Sequence, residues 1–342
     1  MAAISLERFN LRVGTNLHQH GGVVDEIEGL IRVYKDGRIE RPPIVPIVPC
    51  SMGLERGVTA NDVVIDKFSS LWARIYVPSC PGKLPLLVYF HGGGFCVGSA
   101  AWSCYNEFLS HLASKANCVI ISVNYRLAPE NRLPAAYEDG LNTLMWVKQQ
   151  ALNGSNEHRW WLKHCNLSNM HLAGDSAGAN VAYNVATRLG SSGASESTIR
   201  PLGLRGAILI QPFFGGEALT WSERYSNQPP NSALTPAVAD VYWRLSLPLG
   251  ANRDHPWCNP LATGVARLRD LRLPNIMVCV SEMDILKDRN LEFCSALNSS
   301  GKRVETVLYK GVGHSFQILH NSQLSQPRTH EMMSHIKAFI DE

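Results

Sequence analysis

A mainly parallel, doubly wound α/β sheet, with helices on both faces and a helical cap, is the fold predicted for this chain. Three observations predict it. Short apolar runs alternate with segments of helical periodicity along most of the sequence, and two of those runs end in glycine-rich turns. The composition, 45% hydrophobic and 18% charged over 342 residues, leaves material for a large core. A single domain over residues 1–342, carrying an inserted or appended cap, is expected at this length.

Each element follows from local pattern. Residues 30–40 read as two short strands around Lys35, Asp36 and Gly37, a hairpin signal, and the proline-rich stretch 41–49 joins them to the core. Residues 86–90, bounded by Pro85 and a glycine cluster, and the β-branched run 119–123 suit buried central strands. Residues 105–115 and 135–149 space their apolar side chains helically, with Pro134 just before the second segment. Further strands are predicted at 169–173, 204–210, 275–280 and 303–308, with helices after Ser176, Lys287 and Arg328. Between 213 and 260 the alternation gives way to Gly, Pro, Trp and Tyr around one expected helix, 237–247. That stretch and residues 1–45 are assigned to the cap, where large apolar side chains would shape a pocket.

Charge and cysteine usage narrow the function classes. The 32 basic and 29 acidic residues, net +3, are interspersed without the basic stripes that follow a phosphate backbone, so no nucleic-acid partner is expected. Residues 1–14 carry Glu7, Arg8 and Arg12 and lack the apolar run of a signal peptide or membrane span, so a cytosolic or nucleocytoplasmic location is expected. Nine dispersed cysteines with no CxxC pair indicate neither a disulfide framework nor a zinc site. The Asn-x-Ser triplets at Asn153, Asn166 and Asn298 read as chance matches.

The chemistry is carried by three segments. His171-Leu-Ala-Gly174-Asp175-Ser176-Ala177-Gly178 contains G-x-S-x-G between a predicted strand and a predicted helix, the context of a nucleophile elbow. There the serine occupies a strained turn whose neighbours must be nearly without side chains, and a helix start aims N–H groups at developing negative charge. His91-Gly92-Gly93-Gly94-Phe95 follows an apolar strand, and its glycines let the main chain approach a substrate; the N–H groups of Gly93, Gly94 and Ala177 are the expected oxyanion donors. The alternative, a phosphate cradle, lacks both GK[ST] and G-x-G-x-x-G. Among twelve histidines, His314 in Gly311-Val-Gly313-His314 has the context of a base, in a loop after a late strand; His91 reads as a structural support of the glycine loop. Asp284, after strand 275–280, completes the order Ser, Asp, His; Glu282 remains a competitor, while Asp288 is expected to begin or cap the next helix. Asp139 and Asp175 are set aside, the first on a helix and the second adjacent to Ser176. The expected reaction is hydrolysis of a small ester through an acyl enzyme, with no metal or organic cofactor.

Together with Tyr125-Arg-Leu-Ala-Pro-Glu130, Leu133-Pro-Ala-Ala-Tyr-Glu-Asp139 and Asp284-Ile-Leu-Lys-Asp288, these motifs resemble the hormone-sensitive lipase group of α/β-hydrolases, and more narrowly plant carboxylesterases. The opening Ile31-Arg-Val-Tyr-Lys-Asp-Gly-Arg-Ile-Glu-Arg-Pro42 is similar to the same plant family, so the resemblance runs from about residue 28 onward. It implies a cap built from the N-terminus and internal helices, short-chain acyl esters as substrates, Gly93, Gly94 and Ala177 in the oxyanion hole, and Ser176, Asp284 and His314 as the triad. Two other functions occur among relatives of this kind. Gibberellin receptors lose the histidine that His314 retains here, and isoflavanone dehydratases, a lyase class, resemble GDTAG where this chain has Ser176. Some strigolactone-cleaving esterases share segments resembling Phe213-Phe-Gly-Gly-Glu217 and Trp243-Arg-Leu-Ser-Leu-Pro248. An esterase and a small-molecule hormone receptor therefore stand as the two expected classes, acting as a monomer or homodimer.

Overall fold

A computed structural model describes residues 22–50, 57–154, 156–191, 198–228, 232–262 and 265–342; the part of the expected cap that falls on residues 1–21 lies outside them. Eight strands form the main sheet: β4 (Val58–Asp66), β5 (Leu71–Pro78), β6 (Leu84–Phe90), β7 (Val119–Asn124), β8 (Cys165–Asp175), β9 (Leu204–Ile210), β10 (Asn275–Ser281) and β11 (Val304–Tyr309). Their order is β11-β10-β9-β8-β6-β7-β5-β4, and the six strands from β11 to β7 are parallel. Because both faces of a parallel strand are covered, β6 is apolar at every step: Leu86, Val88 and Phe90 enter one core cluster, Leu87 and Tyr89 the other. The first face is covered by α2 (Ala135–Asn153), α4 (Ala177–Ser191) and α8 (Lys287–Ser299), which follows the short α7 (Val265–Asp270). The second is covered by α1 (Ser103–Ala116), α9 (Phe316–Leu319) and α10 (Ser325–Asp341). A one-turn helix, α3 (Arg159–Leu162), buries Trp161 against Trp146 before β8 begins.

The topology creates the place for a site. From β6 the chain crosses to β7 on one side, and β8 returns on the other side of β6, so the direction of winding reverses between β6 and β8. Loops leaving the carboxyl ends of two such strands diverge and leave a crevice, the usual ligand position in open α/β sheets. Register aligns Phe90 with Gly174, which sets the glycine loop after β6 beside the turn after β8.

Several elements depart from the pattern read in sequence. Two strands, β4 and β5, lie where none is predicted; they pair antiparallel, and β5 pairs antiparallel with β7. Their alternation is broken by Arg74, only 1% exposed, whose guanidinium forks onto Asp62 of the neighbouring strand. Strand β6 includes Pro85 instead of starting after it, at a register shift against β8, where a missing N–H is tolerated. Helix α10 begins at Ser325, ahead of Arg328, because Pro327 falls in its first turn, where no N–H partner is lost.

Above the crevice, β1 (Val23–Ile27), β2 (Ile31–Tyr34) and β3 (Ile39–Glu40) form a small antiparallel sheet. The β2–β3 hairpin turns at Gly37 as its sequence predicts, whereas β1 is an addition. Segment 213–260 contains the expected helix, α6 (Pro236–Ser246), capped by the Thr235 hydroxyl with Pro236 at its first position. It also contains α5 (Trp221–Tyr225), started by a reciprocal capping box between Thr220 and Glu223. Arg41 anchors the N-terminal segment: it donates to the carbonyls of Cys96 and Ala128 and grips Glu130 with two nitrogens.

Candidate active site

Ser176 stands between β8 and α4 with φ +52, a left-handed conformation rare for a residue with a side chain. Main-chain bonds hold it there: its N–H donates to Ile210 O at 2.8 Å, and its carbonyl accepts from Phe213 at 2.9 Å. The turn is possible only because Gly178 has no side chain, since a Cβ there would fall 1.9 Å from the Phe90 carbonyl oxygen.

The structure brings the three sequence-predicted side chains together. His314 Nε2 lies 2.9 Å from Ser176 Oγ, and His314 Nδ1 lies 2.7 Å from Asp284 Oδ2. Asp284 Oδ1 accepts the Leu286 N–H at 3.0 Å, which leaves its other oxygen for the imidazole. An ionised carboxylate only accepts, so Nδ1 carries the proton and Nε2 is left to take one from the serine. All three residues are at most 5% exposed. The competitors are elsewhere: Glu282 accepts the N–H of Gly311, and Asp139 pairs with Arg126. Asp288 does occupy the first turn of α8, but it does not cap that helix; its carboxylate accepts the N–H of Ser222 at 2.7 Å and ties α5 to the start of α8.

Gly93 and Gly94 adopt φ +113 and +57, and the Gly93 carbonyl accepts from both Cys96 and Val97. Among the described residues no acceptor takes the N–H of Gly93, Gly94 or Ala177. Gly93 and Gly94 line the same cavity as Ser176 and His314. Asp175 and His91 hold this loop from behind. Asp175 accepts the Gly92 N–H at 3.0 Å and the hydroxyls of Tyr89 and Tyr105; burial pushes its carboxyl up to about 6, against the pull of those donors. His91 donates Nδ1–H to the Gly92 carbonyl and stacks on Tyr125, and burial pushes its imidazole down to about 4.

One residue that sequence reasoning did not single out bonds to the loop that carries His314. Gln211 follows β9, has φ +47, and is fully buried. Its Oε1 accepts the N–H of Ser315 at 2.6 Å and its Nε2 donates to Ser281 Oγ at 2.8 Å. The available signal was position alone, a polar side chain at the carboxyl end of a central strand.

The cavity above Ser176, about 90 Å³, is walled by Leu30, Ile44 and Val45 from the N-terminal segment, Phe213, Leu234 and Tyr242 from the roof, and Trp102 and Ile318 from the body. Among the described residues, no Asp, Glu, Lys or Arg lines it. Tyr242 packs directly on the glycine loop, for a Cβ on Gly94 would lie 2.2 Å from its ring. Among the described residues no helix is long and apolar enough to cross a membrane.

Comparison with known proteins places the fold in a family. The profile of the alpha/beta hydrolase fold family matches residues 87–318. A probable carboxylesterase 6 from Arabidopsis thaliana is 51% identical over 330 residues, covering 95% of this chain and 94% of that protein. A 2-hydroxyisoflavanone dehydratase from Glycyrrhiza echinata is 38% identical, covering 86% and 90%. Among solved structures, an esterase from Pyrobaculum calidifontis superimposes with a TM-score of 0.67 at 27% identity, over 82% of this chain and 84% of that one.

Proposed function

Because the chain belongs to the α/β-hydrolase fold family and is a carboxylesterase, we propose that Ser176 is its nucleophile, His314 its general base and Asp284 the residue that orients and stabilises the imidazole. The observation that supports this reading is the continuous line of hydrogen bonds from Asp284 through His314 to the Ser176 hydroxyl, 2.7 and 2.9 Å long.

In this mechanism Nε2 of His314 removes the serine proton as Oγ attacks the ester carbonyl, and Asp284 stabilises the resulting imidazolium. The N–H groups of Gly93, Gly94 and Ala177 receive the oxyanion; one such donor is worth roughly 100- to 1,000-fold in turnover in comparable enzymes. Protonated His314 then delivers its proton to the departing alcohol, and a water activated by the same nitrogen hydrolyses the acyl enzyme. The three-stranded N-terminal sheet and segment 213–260 serve as the cap of a single catalytic domain, since both supply walls of the cavity.

Among the described residues the cavity walls carry no Asp, Glu, Lys or Arg, which favours small, uncharged, apolar esters, because a charged group would find no partner there to replace its water. Purified protein is expected to hydrolyse p-nitrophenyl acetate and butyrate, to act poorly on the carboxylate-bearing mono-p-nitrophenyl succinate, and to lose turnover in Ser176→Ala with its circular dichroism unchanged. Undiminished turnover in that variant would reject the assignment. A hormone receptor on this fold has no need of a base in contact with the serine, so the Ser176–His314 contact favours turnover over binding alone. The reading extends to an enzyme that works without nucleic acid, as a monomer or homodimer in the cytosol or nucleocytoplasm; interspersed charge supports the first point, and fluorescent fusion and light scattering test the others.

A further inference from the structure

The His314 loop has to be held at one distance from Ser176 and Asp284, yet His314, Ser176 and Asp284 lie on three separate excursions from the sheet. Gln211 is where those excursions meet. Its neighbour Ile210 accepts the Ser176 N–H, its own N–H donates to Cys279 O in β10, and its side chain reaches both Ser281, the last residue of β10, and Ser315, the residue after His314.

The amide can be arranged in only one way. Ser315 N–H is a donor, so the oxygen of Gln211 must face it, and the NH₂ group is thereby aimed at Ser281 Oγ, with Gln317 Oε1 at 3.4 Å beyond. Both ends of the Ser315–Gln211 bond carry backbone strain: Ser315 has φ +55 and Gln211 φ +47. Non-glycine residues in this region are strained and persist where the surroundings over-determine them, commonly at functional sites. A residue needed only to fill core volume would not require a left-handed backbone or an amide bonded to both a loop and a strand end.

We propose that Gln211 is a positioning residue for the reaction, a buried amide that fixes the loop of His314 against the strand leading to Asp284 and so sets the imidazole between carboxylate and hydroxyl. It touches neither substrate nor reacting atoms. The proposal rests on the triad described above. Misplacing a catalytic group by about 1 Å can cost roughly 100-fold in rate; loss of the amide therefore acts on kcat and leaves KM, which is set by the cavity walls, nearly unchanged.

The test compares Gln211→Gly with Gln211→Glu on p-nitrophenyl acetate. Glycine adopts φ +47 without strain, so the first variant removes the side chain while sparing the backbone. Glutamate has the same reach, offers an oxygen to Ser315 N–H, and can bond Ser281, whose hydroxyl rotates. Gln211→Gly should lower kcat by roughly 10- to 100-fold with KM within about twofold. It should also erase or broaden the downfield NMR resonance expected of the hydrogen-bonded His314 Nδ1 proton in the parent, and Gln211→Glu should recover most of both. If the glycine variant does not fold, Gln211→Met, of equal reach without hydrogen bonds, takes its place. A folded variant with kcat within twofold of the parent, a loss confined to KM, or a glutamate variant no better than glycine would overturn the proposal. Ser176→Ala is run alongside. Its retaining activity would overturn the triad itself, whereas its inactivity beside a fully active Gln211→Gly removes only the role given to Gln211.

Discussion

At the scale of single residues, the orientation of one imidazole depends on which atoms of its neighbour can only accept. Asp284→Asn keeps the Leu286 bond through its carbonyl oxygen and so turns its NH₂ group toward His314 Nδ1. The proton is then forced onto Nε2, facing Ser176, where it cannot serve as base. We expect kcat to fall by about 10⁴-fold, with KM and thermal stability little changed, as steady-state kinetics and a melting curve would show. Much at this scale was legible in the sequence, because chain order and flanking glycines single out Ser176, Asp284 and His314 from many serines, acids and histidines. The dismissed candidates have visible employment: Asp175 and His91 brace the glycine loop. Gln211 was not legible. A polar residue between a strand and Pro212 looks like any loop residue until the partners from positions 281 and 315 are seen beside it.

At the scale of elements, the turn that holds Ser176 depends on how closely α4 approaches β6. A methyl group on residue 178 would lie 1.9 Å from the Phe90 carbonyl, a backbone atom that cannot rotate away. Gly178→Ala should therefore push helix and strand apart and destabilise by at least about 3 kcal/mol. That should read as a fall of roughly 4 °C or more in Tm, together with lost esterase activity; an unchanged melting curve would contradict the close approach. The central strands were legible because burial on both faces makes them continuously apolar. The β4–β5 hairpin was not, because the Arg74–Asp62 pair puts a buried charge inside a strand and disguises it as surface. Helix α5 carried a readable Thr-x-x-Glu start but is only five residues long, too short to show a period.

At the scale of the whole molecule, stability should depend on pH through histidines that are buried without a compensating acid. Burial pushes His171, packed near Phe339 on the underside of the sheet, down to about 4, and His91 behaves likewise. The unfolded chain binds these protons from about pH 6.5 downward while the native state refuses them until about pH 4, so stability is intact above that window and is lost as pH falls through it. For His171 the loss is about 3 kcal/mol when complete. Asp175, raised to about 6, works in the opposite sense, since the native state holds its proton longer than the unfolded chain does. His171→Phe should flatten the fall in urea-unfolding free energy between pH 6.5 and 4 by about one proton's slope; an unaltered slope would show that His171 is not the group responsible. The cap was the least legible part of the molecule. The two segments were assigned to it from their broken alternation, but which of their side chains, Leu30, Ile44, Val45, Phe213, Leu234 and Tyr242, wall the cavity carries no periodic signal in the sequence.

That the imidazole arrives 138 positions after the hydroxyl it serves has a bearing on how the enzyme is born. While a ribosome is still extending the chain toward position 314, nothing is there to draw off the hydrogen of that hydroxyl, whatever part of the elbow has formed. On the proposed mechanism, translation products that stop short of the last loop are inert toward esters, and reactivity switches on late, when the final strand and its histidine dock.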